Sequence, residues 1–222
     1  MKKFNIKYKL KTLYKSSWFI TLLATTLGVL LAFYLNNVND YLKIESSKQV
    51  AIENLNNEIK NNKLTLNDPS DNQKLIDFLL EIRKIDAEIS NELKTSIHVM
   101  SELKINYPGF IEIKDSIDLG DNLIKYNISY KLELNFNDLQ SISWEAAKIS
   151  NVINEFSYDC LQILIEIYYR QEIYTIQQQK TLEYFVNTEF KKLLSALLVI
   201  EQLKSQLIAQ ISESQNKIDV CI

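Results

Sequence analysis

The chain has 222 residues, of which 46% are hydrophobic and 24% charged, a composition typical of folded proteins rather than disordered tails. Its formal net charge is −3, but six of its 25 basic residues are lysines that precede the first acidic residue, Asp40. Without these six, 19 basic residues face 28 acidic ones, a balance of −9. The acidic body argues against a nucleic-acid partner, whereas the basic N-terminus suits an anionic lipid surface.

Glycine and proline are scarce, with three glycines, two prolines and none of either after Gly120. The second half of the chain therefore lacks most turn chemistry, which predicts a mainly α protein. The glycine positions also exclude a Walker loop, a dinucleotide-binding turn and a nucleophile elbow. We expect an N-terminal transmembrane helix that continues into a helical stalk and an elongated antiparallel helical bundle, with a small insertion resembling a β-hairpin.

The N-terminal region contains a candidate membrane span over residues 16–37. Residues 18–35 form an almost unbroken apolar run, which as a helix covers about 27 Å, close to one hydrocarbon thickness. Trp18 and Tyr34 lie near its two ends, and Lys15 can reach the near headgroup layer, so we assign these three residues to the membrane interface. The run is longer than the apolar part of a signal peptide, and no small-residue cleavage site follows it. The pattern favours an uncleaved anchor.

The charges that flank this span predict its orientation. All six early lysines precede it, while only Lys43 and Lys48 follow soon after, with Glu45 between them. By the positive-inside rule, residues 1–15 form a basic cytoplasmic stub. Residues 38–222 then form an extracytoplasmic helical domain of a single-pass protein in a bacterial cell membrane, in the periplasm or outside the cell.

Small residues recur on one face of the span. Ala24, Gly28 and Ala32 are spaced by four, so a second helix can approach this face closely. We predict a helix contact here, with a second copy of the chain or another membrane protein as the partner beside the lipid bilayer.

The body begins with two predicted helices. No breaker follows Gly28 until Pro69, so the first helix continues to Leu66 as a stalk. A coiled-coil stripe runs along it, with Asn62 at the one position that is not apolar. The stripe consists of Ile52, Leu55, Ile59 and Leu66. Asp68, Pro69 and Asp71 are typical of a helix start, and the second helix is expected to run to about Lys104 and to form an antiparallel hairpin with the first.

The apolar residues of this second helix lie on one face when it is drawn as a continuous helix. They are Leu75, Leu79, Ile82, Ile89, Leu93 and Met100. The tetrapeptide from Asn106 to Gly109 ends it.

The insertion at residues 110–136 has a different period. Side chains from Ile128 to Phe136 alternate between apolar and polar, which predicts a strand. Residues 110–113 are expected to pair with it across a loop that contains Gly120.

Helix returns near Trp144, where Ser143 is the expected cap, and Ser157 is expected to cap the next helix after a joint at Asn151 and Asn154. From Tyr158 the chain reads as helix almost to the end, with a bend at Asn187 and Thr188.

No residue pattern indicates catalysis, a cofactor or a metal. His98 has no nearby ligand partners and is expected at a surface or interface. The spacing of Asp115, Asp118 and Asp121 only weakly matches a calcium loop. Five tyrosines, at positions 158, 168, 169, 174 and 184, are expected in helix seams rather than in a ligand cage.

The two cysteines, Cys160 and Cys221, are interpreted as two apolar packing residues, with a single bridge left open.

Two segments resemble a family of uncharacterised single-pass bacterial membrane proteins. LGVLLAFYLNNVND resembles the family's anchor, which ends in Asn-Asn-Trp-Asn and an acid, with Val38 replacing the tryptophan here. WEAAKISNVINEFSYDCLQILIEIYYRQ resembles its second block, in which a helix opens with Trp-Glu, as at Trp144 and Glu145, and a tyrosine pair follows. Asn151 stands where that family usually has glycine. The resemblance implies an uncleaved anchor and a helical extracytoplasmic body, and it implies no activity.

Two hypotheses for function follow. The first is a nonenzymatic, membrane-anchored interaction or scaffold protein. The alternative is the sensory or regulatory subunit of a transmembrane complex, which signals through a partner because the cytoplasmic stub is too short to carry an output domain.

Overall fold

The computed structural model describes residues 17–68, 72–218 and 221. Within these ranges the chain is mainly helical and carries one small antiparallel sheet, which confirms the predicted fold class. The helices are α1 (Ser17–Asn67), α2 (Asn72–Ile85), α3 (Ile97–Asn106), α4 (Ile142–Ile149), α5 (Tyr158–Val186) and α6 (Phe190–Ile218). The strands are β1 (Glu92–Thr95), β2 (Ile111–Asp118) and β3 (Ile124–Tyr130). The predicted stub at residues 1–15 and the helix-start signals at Pro69 and Asp71 lie outside the described residues.

Helix α1 is continuous over 51 residues and belongs to two structural units, which divide between Ala51 and Ile52. In the described part of the first unit, no side chain is buried. In the second unit, the predicted stripe of Ile52, Leu55, Ile59 and Leu66 is buried, which confirms it. Asn62, the polar exception in this stripe, is also buried, with 2% of its surface exposed. A buried amide requires hydrogen-bond partners, so its contacts matter for the fold.

The prediction of one helix up to Lys104 is wrong, because the chain leaves the helix after Ile85 and forms β1 before it enters α3. The Asp86 carboxylate accepts hydrogen bonds from the backbone N–H groups of Glu88, at 3.1 Å, and Ser90, at 2.6 Å. Between them, Ile89 adopts a left-handed conformation with φ of 54°. Ser96 then caps α3 by accepting from the Val99 N–H. These short polar side chains offer the backbone an alternative to helix, and they decide the local structure.

All six apolar residues that were assigned to the face of this helix are nevertheless buried. They enter the core from α2, the turn, β1 and α3, with Phe78 of α2 near the centre. The Phe78 ring makes edge contacts with three aromatic rings, at centroid distances of 5.1 to 5.9 Å. These rings belong to Tyr107, Phe110 and Tyr130.

Helix α2 packs chiefly along α6, through a core that includes Leu193, Leu194 and Leu197. The main helix partner of α2 is thus α6, and the expected hairpin of α1 and α2 is not the principal packing. The sequence carries no signal for this choice, because the apolar face of α2 fits either neighbour.

The sheet confirms the predicted pairing of residues 111–113 with the strand after Gly120. Strands β2 and β3 are antiparallel with one bulge near Lys114, and β1 joins the other edge of β3. Gly120 has φ of 83° in the connecting turn, a conformation that favours glycine. The predicted bounds of this strand, Ile128 to Phe136, are wrong, because β3 begins at Ile124 and ends at Tyr130, and residues 131–141 form neither helix nor strand.

Helices α5 and α6 form an antiparallel pair, and the predicted bend at Asn187 and Thr188 is confirmed. Thr188 has φ of 56° in this turn. Because both helices have 29 residues, the end of α6 returns to the start of α5. Cys160 and Cys221 form a disulfide there, with a Cα–Cα distance of 5.6 Å. Their interpretation as two unpaired packing residues was therefore wrong, since matched helix lengths bring together cysteines that are far apart in sequence.

The turn at Asp86 predicts a pH effect. Burial raises the pKa of this carboxyl, but the hydrogen bonds from Ser90 and Glu88 outweigh burial and hold the pKa below its ordinary value of 3.8. A carboxyl with a lowered pKa stabilises the fold above its unfolded pKa, and this stabilisation is lost as the pH falls through the folded pKa. Asp86→Asn should therefore lower the free energy of unfolding by about 1 kcal/mol at neutral pH and flatten its decline below pH 3.8.

Denaturant unfolding followed by circular dichroism at several pH values measures this effect. Asp77→Asn is the matched control on α2, because the Asp77 carboxylate accepts only from the exposed Gln73 side chain among the described residues. Equal pH profiles for the two variants would contradict the assignment.

Candidate functional site

The connecting segment, residues 131–141 between β3 and α4, is held by side-chain amides instead of a neighbouring strand. Asn72 of α2 bonds both backbone groups of Asn135, donating to its C=O and accepting from its N–H at 3.1 Å. Asn62 of α1 does the same to Gln140, donating at 2.7 Å and accepting at 2.8 Å. Each amide thus replaces one rung of a β-ladder, which satisfies backbone groups that would otherwise lose their partners.

Further amides complete this contact. Gln171 of α5 donates to the Gln140 carbonyl at 2.8 Å and accepts from Asn62 at 3.1 Å. Asn137 donates to the Thr65 carbonyl on α1. The alternation of apolar residues beyond Tyr130 still has a structural meaning, since Leu132 and Leu134 pack against the core while Lys131, Glu133 and Asn135 are exposed. The strand predicted over this segment is therefore absent, and side chains bond the backbone groups that a neighbouring strand would have bonded.

Helix α4 is capped from another helix. Its N-cap residue, Ser141, makes no side-chain capping bond. Instead, the buried Glu58 carboxylate of α1 accepts from the Ser143 N–H at 2.7 Å and from the Tyr168 hydroxyl at 2.6 Å. An acidic group at a helix N-terminus satisfies free N–H groups and complements the helix dipole. The prediction that the Ser143 side chain caps this helix was therefore wrong, because Ser143 is the residue that receives the cap.

An open groove of about 620 Å³ lies between α4 and α5. This volume is within the range of ordinary ligand-binding clefts. Its lining mixes aromatic, amide, carboxylate and aliphatic side chains. The residues are Leu139, Ser141, Trp144, Glu145, Lys148, Ile165, Tyr168, Tyr169, Gln171, Glu172, Thr175, Ile176 and Gln179.

The lining of this groove includes a stacked aromatic pair. The Trp144 and Tyr168 rings are stacked, with centroids 4.9 Å apart and an interplanar angle of 7°. The Lys148 ammonium lies 5.6 Å from the Trp144 ring centroid and 2.6 Å from the Glu145 carboxylate. Burial raises the pKa of Tyr168 well above its usual range, and its hydrogen bond to Glu58 raises it further. The Tyr168 hydroxyl thus remains a hydrogen-bond donor across the physiological pH range.

The groove is lined by residues from two separate parts of the sequence, the Trp-Glu pair and the tyrosine pair. Trp144, Glu145, Tyr168 and Tyr169, which carry the second part of the family resemblance, all line it. Asn151, which stands where that family has glycine, adopts φ of 58°. Asparagine tolerates this left-handed conformation better than most residues with a side chain.

The predicted membrane residues lie on α1 in the first unit. Ala24, Gly28 and Ala32 are exposed, and a Cβ atom added to Gly28 would meet nothing within 4 Å. Trp18 and Tyr34 are also exposed, while Lys15 lies outside the described residues. The contact face and the interface assignments stay predictions.

The other candidates from the sequence do not converge with the groove. His98 is exposed on α3 and pairs with Glu102 at 3.3 Å, as expected for a surface histidine. Asp115 and Asp118 accept hydrogen bonds from nearby backbone N–H groups of the β-hairpin. Within the described ranges, no group of three or more potential ligands could hold a metal ion.

The five tyrosines differ in burial. Tyr168 and Tyr174 are buried in helix seams as predicted, and Tyr184 is partly buried against the core. Tyr158 and Tyr169 are exposed, with 79% and 61% of their surface accessible. The expectation that all five lie in seams was therefore wrong for these two. In the tyrosine pair, helical spacing places Tyr168 towards α1 and leaves Tyr169 at the rim of the groove.

Sequence reasoning missed Glu58 and Asn62 as determinants of this site. Asn62 interrupts an apolar stripe, but the stripe alone does not predict which groups this amide bonds. Glu58 carried no signal, because an isolated acid on a helix is usually solvated. Comparisons with protein-family models, with curated proteins and with solved structures found no match for this chain.

The tyrosine pair provides a test of the buried contact to Glu58. Tyr168→Phe removes the hydroxyl but keeps the ring that stacks on Trp144, so a Glu58 oxygen loses its donor in a buried site. We expect the free energy of unfolding to fall by about 1 to 3 kcal/mol. Tyr169→Phe, on the exposed neighbour, should change it by less than about 0.5 kcal/mol. Chemical denaturation of the two variants measures the difference, and similar effects in both would refute the proposed role of Tyr168.

Proposed function

We propose that this chain is a nonenzymatic membrane-anchored interaction or scaffold protein, with an uncleaved N-terminal anchor and an extracytoplasmic body. One observation carries the proposal. Helix α1 contains an 18-residue window with a mean hydropathy of 2.0, and none of this window is buried within the structure. The core helix of a soluble protein would hide such a segment, so lipid is the environment that best accounts for its exposure.

The continuity of α1 supports retention of the anchor. The helix that begins at Ser17 ends at Asn67, and its last turns contribute buried residues such as Leu55 and Ile59 to the body. Cleavage after the apolar segment would cut within this helix. The family resemblance implies the same uncleaved arrangement.

Two features support the proposed orientation. The lysines precede the apolar segment, which favours a cytoplasmic N-terminus. The disulfide between Cys160 and Cys221 is typical of proteins outside the reducing cytoplasm. Together they support a body in the periplasm or at the cell exterior.

The groove supports binding rather than turnover as the role of the body. Two of its aromatic rings are stacked on each other, and the Tyr168 hydroxyl already donates a hydrogen bond to Glu58. Exposed apolar side chains at the rim, such as Tyr169 and Ile176, are typical of surfaces that contact other proteins. A second copy of the chain or another membrane protein is the expected partner.

A second function, the sensory or regulatory subunit of a transmembrane complex, is favoured by the contacts of two residues on α1. Glu58 and Asn62, which fix α4 and the connecting segment beside the groove, belong to the same helix as the apolar segment. Occupancy of the groove would act on α1 through these bonds. If this function is correct, occupancy of the groove alters cysteine crosslinking between the span and a partner helix. In a passive scaffold, occupancy leaves this crosslinking unchanged.

Membrane topology tests the first proposal directly. In bacterial cells the full chain should resist alkaline extraction from membranes, retain its N-terminus by intact mass, and activate an alkaline phosphatase fused to its C-terminus. Both cysteines should resist a bulky maleimide until they are reduced, because an oxidising compartment maintains the disulfide.

A Cys160→Ser variant is the control for the maleimide assay, since it leaves Cys221 as a single free thiol that reacts without reduction. A processed, soluble body would refute the anchor. Free thiols in both wild-type cysteines, together with an inactive phosphatase fusion, would refute the orientation.

A further inference from the structure

We propose that the groove between α4 and α5 docks an amphipathic helix of a partner protein, with a lysine or arginine of that helix placed opposite Glu172. This inference deepens the proposed function and rests on it. It identifies the binding surface, the kind of partner and the residue that selects the partner's charge.

The geometry of α5 supports a helical occupant. Ile165, Tyr169, Glu172 and Ile176 line the groove at successive spacings of four, three and four residues. This is the spacing with which one helix presents a face to another. Ile165 and Ile176 expose 48% and 44% of their surface, so apolar area remains to be covered at both ends of the face.

The charges of the groove support a basic occupant. Three charged side chains line it, namely Glu145, Lys148 and Glu172. Lys148 is paired with Glu145 at 2.6 Å, whereas the Glu172 side chain has no ion pair or hydrogen bond within the described part of the chain. The groove therefore carries one uncompensated negative charge, and a cation on the partner gives electrostatic complementarity.

The aromatic residues strengthen this preference. Tyr169, three residues before Glu172 on α5, presents an exposed ring beside the carboxylate. A lysine or arginine can place its aliphatic stem against the ring and its charged head near Glu172. Trp144 already holds the Lys148 ammonium in this way, which shows that the groove accommodates cations at its aromatic faces.

The opposite wall provides rigidity. Helix α4 carries Trp144, and its N-terminus is held by Glu58 through Ser143. A preformed wall lowers the ordering cost that a partner helix must overcome on binding.

Trp144 provides the readout. The chain has two tryptophans, so Trp18→Phe leaves Trp144 as the sole reporter in the full-length protein, held in maltoside micelles. The probe is a tryptophan-free amphipathic peptide of about 15 residues, with leucines on one face and lysines beside them. Its counterpart carries glutamate at every lysine position. The lysine peptide should change Trp144 emission saturably, and the glutamate peptide should bind at least about threefold more weakly.

Charge reversal at Glu172 is the decisive variant. Glu172→Lys should invert the preference, so that the glutamate peptide binds more tightly than the lysine peptide. Glu183→Lys is the matched control, because Glu183 is exposed on the same helix and does not line the groove. It should leave the original preference unchanged. Since both positions are exposed, neither substitution removes a buried contact.

The remaining outcomes overturn the inference. No saturable change with either peptide, or equal effects of the two charge reversals, would show that Glu172 selects no partner. Equal affinity for free Nα-acetylargininamide would indicate a site for small cations. Self-association that Glu172→Lys abolishes and the lysine peptide does not displace would indicate a second copy. Each of these results leaves the topology assay unaffected, so failure of the docking site and failure of the anchored-protein proposal are distinguishable.

Discussion

The hydrogen bonds that side chains make to the backbone of the connecting segment fix this segment and the start of α4 within the second unit. Asn62 and Asn72 each bond both backbone groups of one residue of this segment, and Glu58 caps the helix that follows. These bonds tie residues 131–143 to α1 and α2. A buried amide whose hydrogen bonds are made contributes modestly to stability, whereas a buried amide left without a partner costs about 1 to 3 kcal/mol. Losing these bonds is therefore more costly than their own contribution suggests. The segment has no regular structure, but its path is determined at three points along its length.

The same bonds create the groove. Glu58 holds the first turn of α4 and the Tyr168 hydroxyl, and these two contacts position Trp144 and Tyr168 for stacking. The outward-facing neighbour, Tyr169, is left free at the rim together with Glu172. One helix thus supplies the apolar N-terminal segment and the groups that fix the binding surface. Both proposed functions depend on this double role of α1. They differ in whether occupancy of the groove is transmitted along the helix.

Between Leu75 and Met100, apolar periodicity in the sequence predicted burial but not the path of the backbone. The six apolar residues assigned to a second helix are all buried, although Asp86, Ser90 and Ser96 break that helix into two helices and a strand. Competition from short polar side chains over a few residues outweighed the weak propensity of the longer segment. Glu58 and Asn62 were beyond prediction for another reason. Their partners are backbone groups about 80 residues away in sequence, and only the tertiary fold brings them together. The cysteine pairing also depended on tertiary information, namely the equal lengths of α5 and α6.

The central claim concerns Asn62. The sequence pattern and the structure predict changes of opposite sign in the free energy of unfolding when Asn62 is replaced by leucine. A coiled-coil stripe would be completed by leucine at this position, so Asn62→Leu would stabilise the protein. The structure predicts a loss of about 1 to 3 kcal/mol, because both backbone groups of Gln140 and the Gln171 side chain lose a partner. Asn61→Leu, at the exposed neighbouring position, should stay within about 0.5 kcal/mol of the wild type. The deciding measurement is the free energy of unfolding of these two full-length variants. A destabilised Asn62→Leu beside an unchanged Asn61→Leu would support the account, and an Asn62→Leu variant as stable as the wild type or more stable would contradict it.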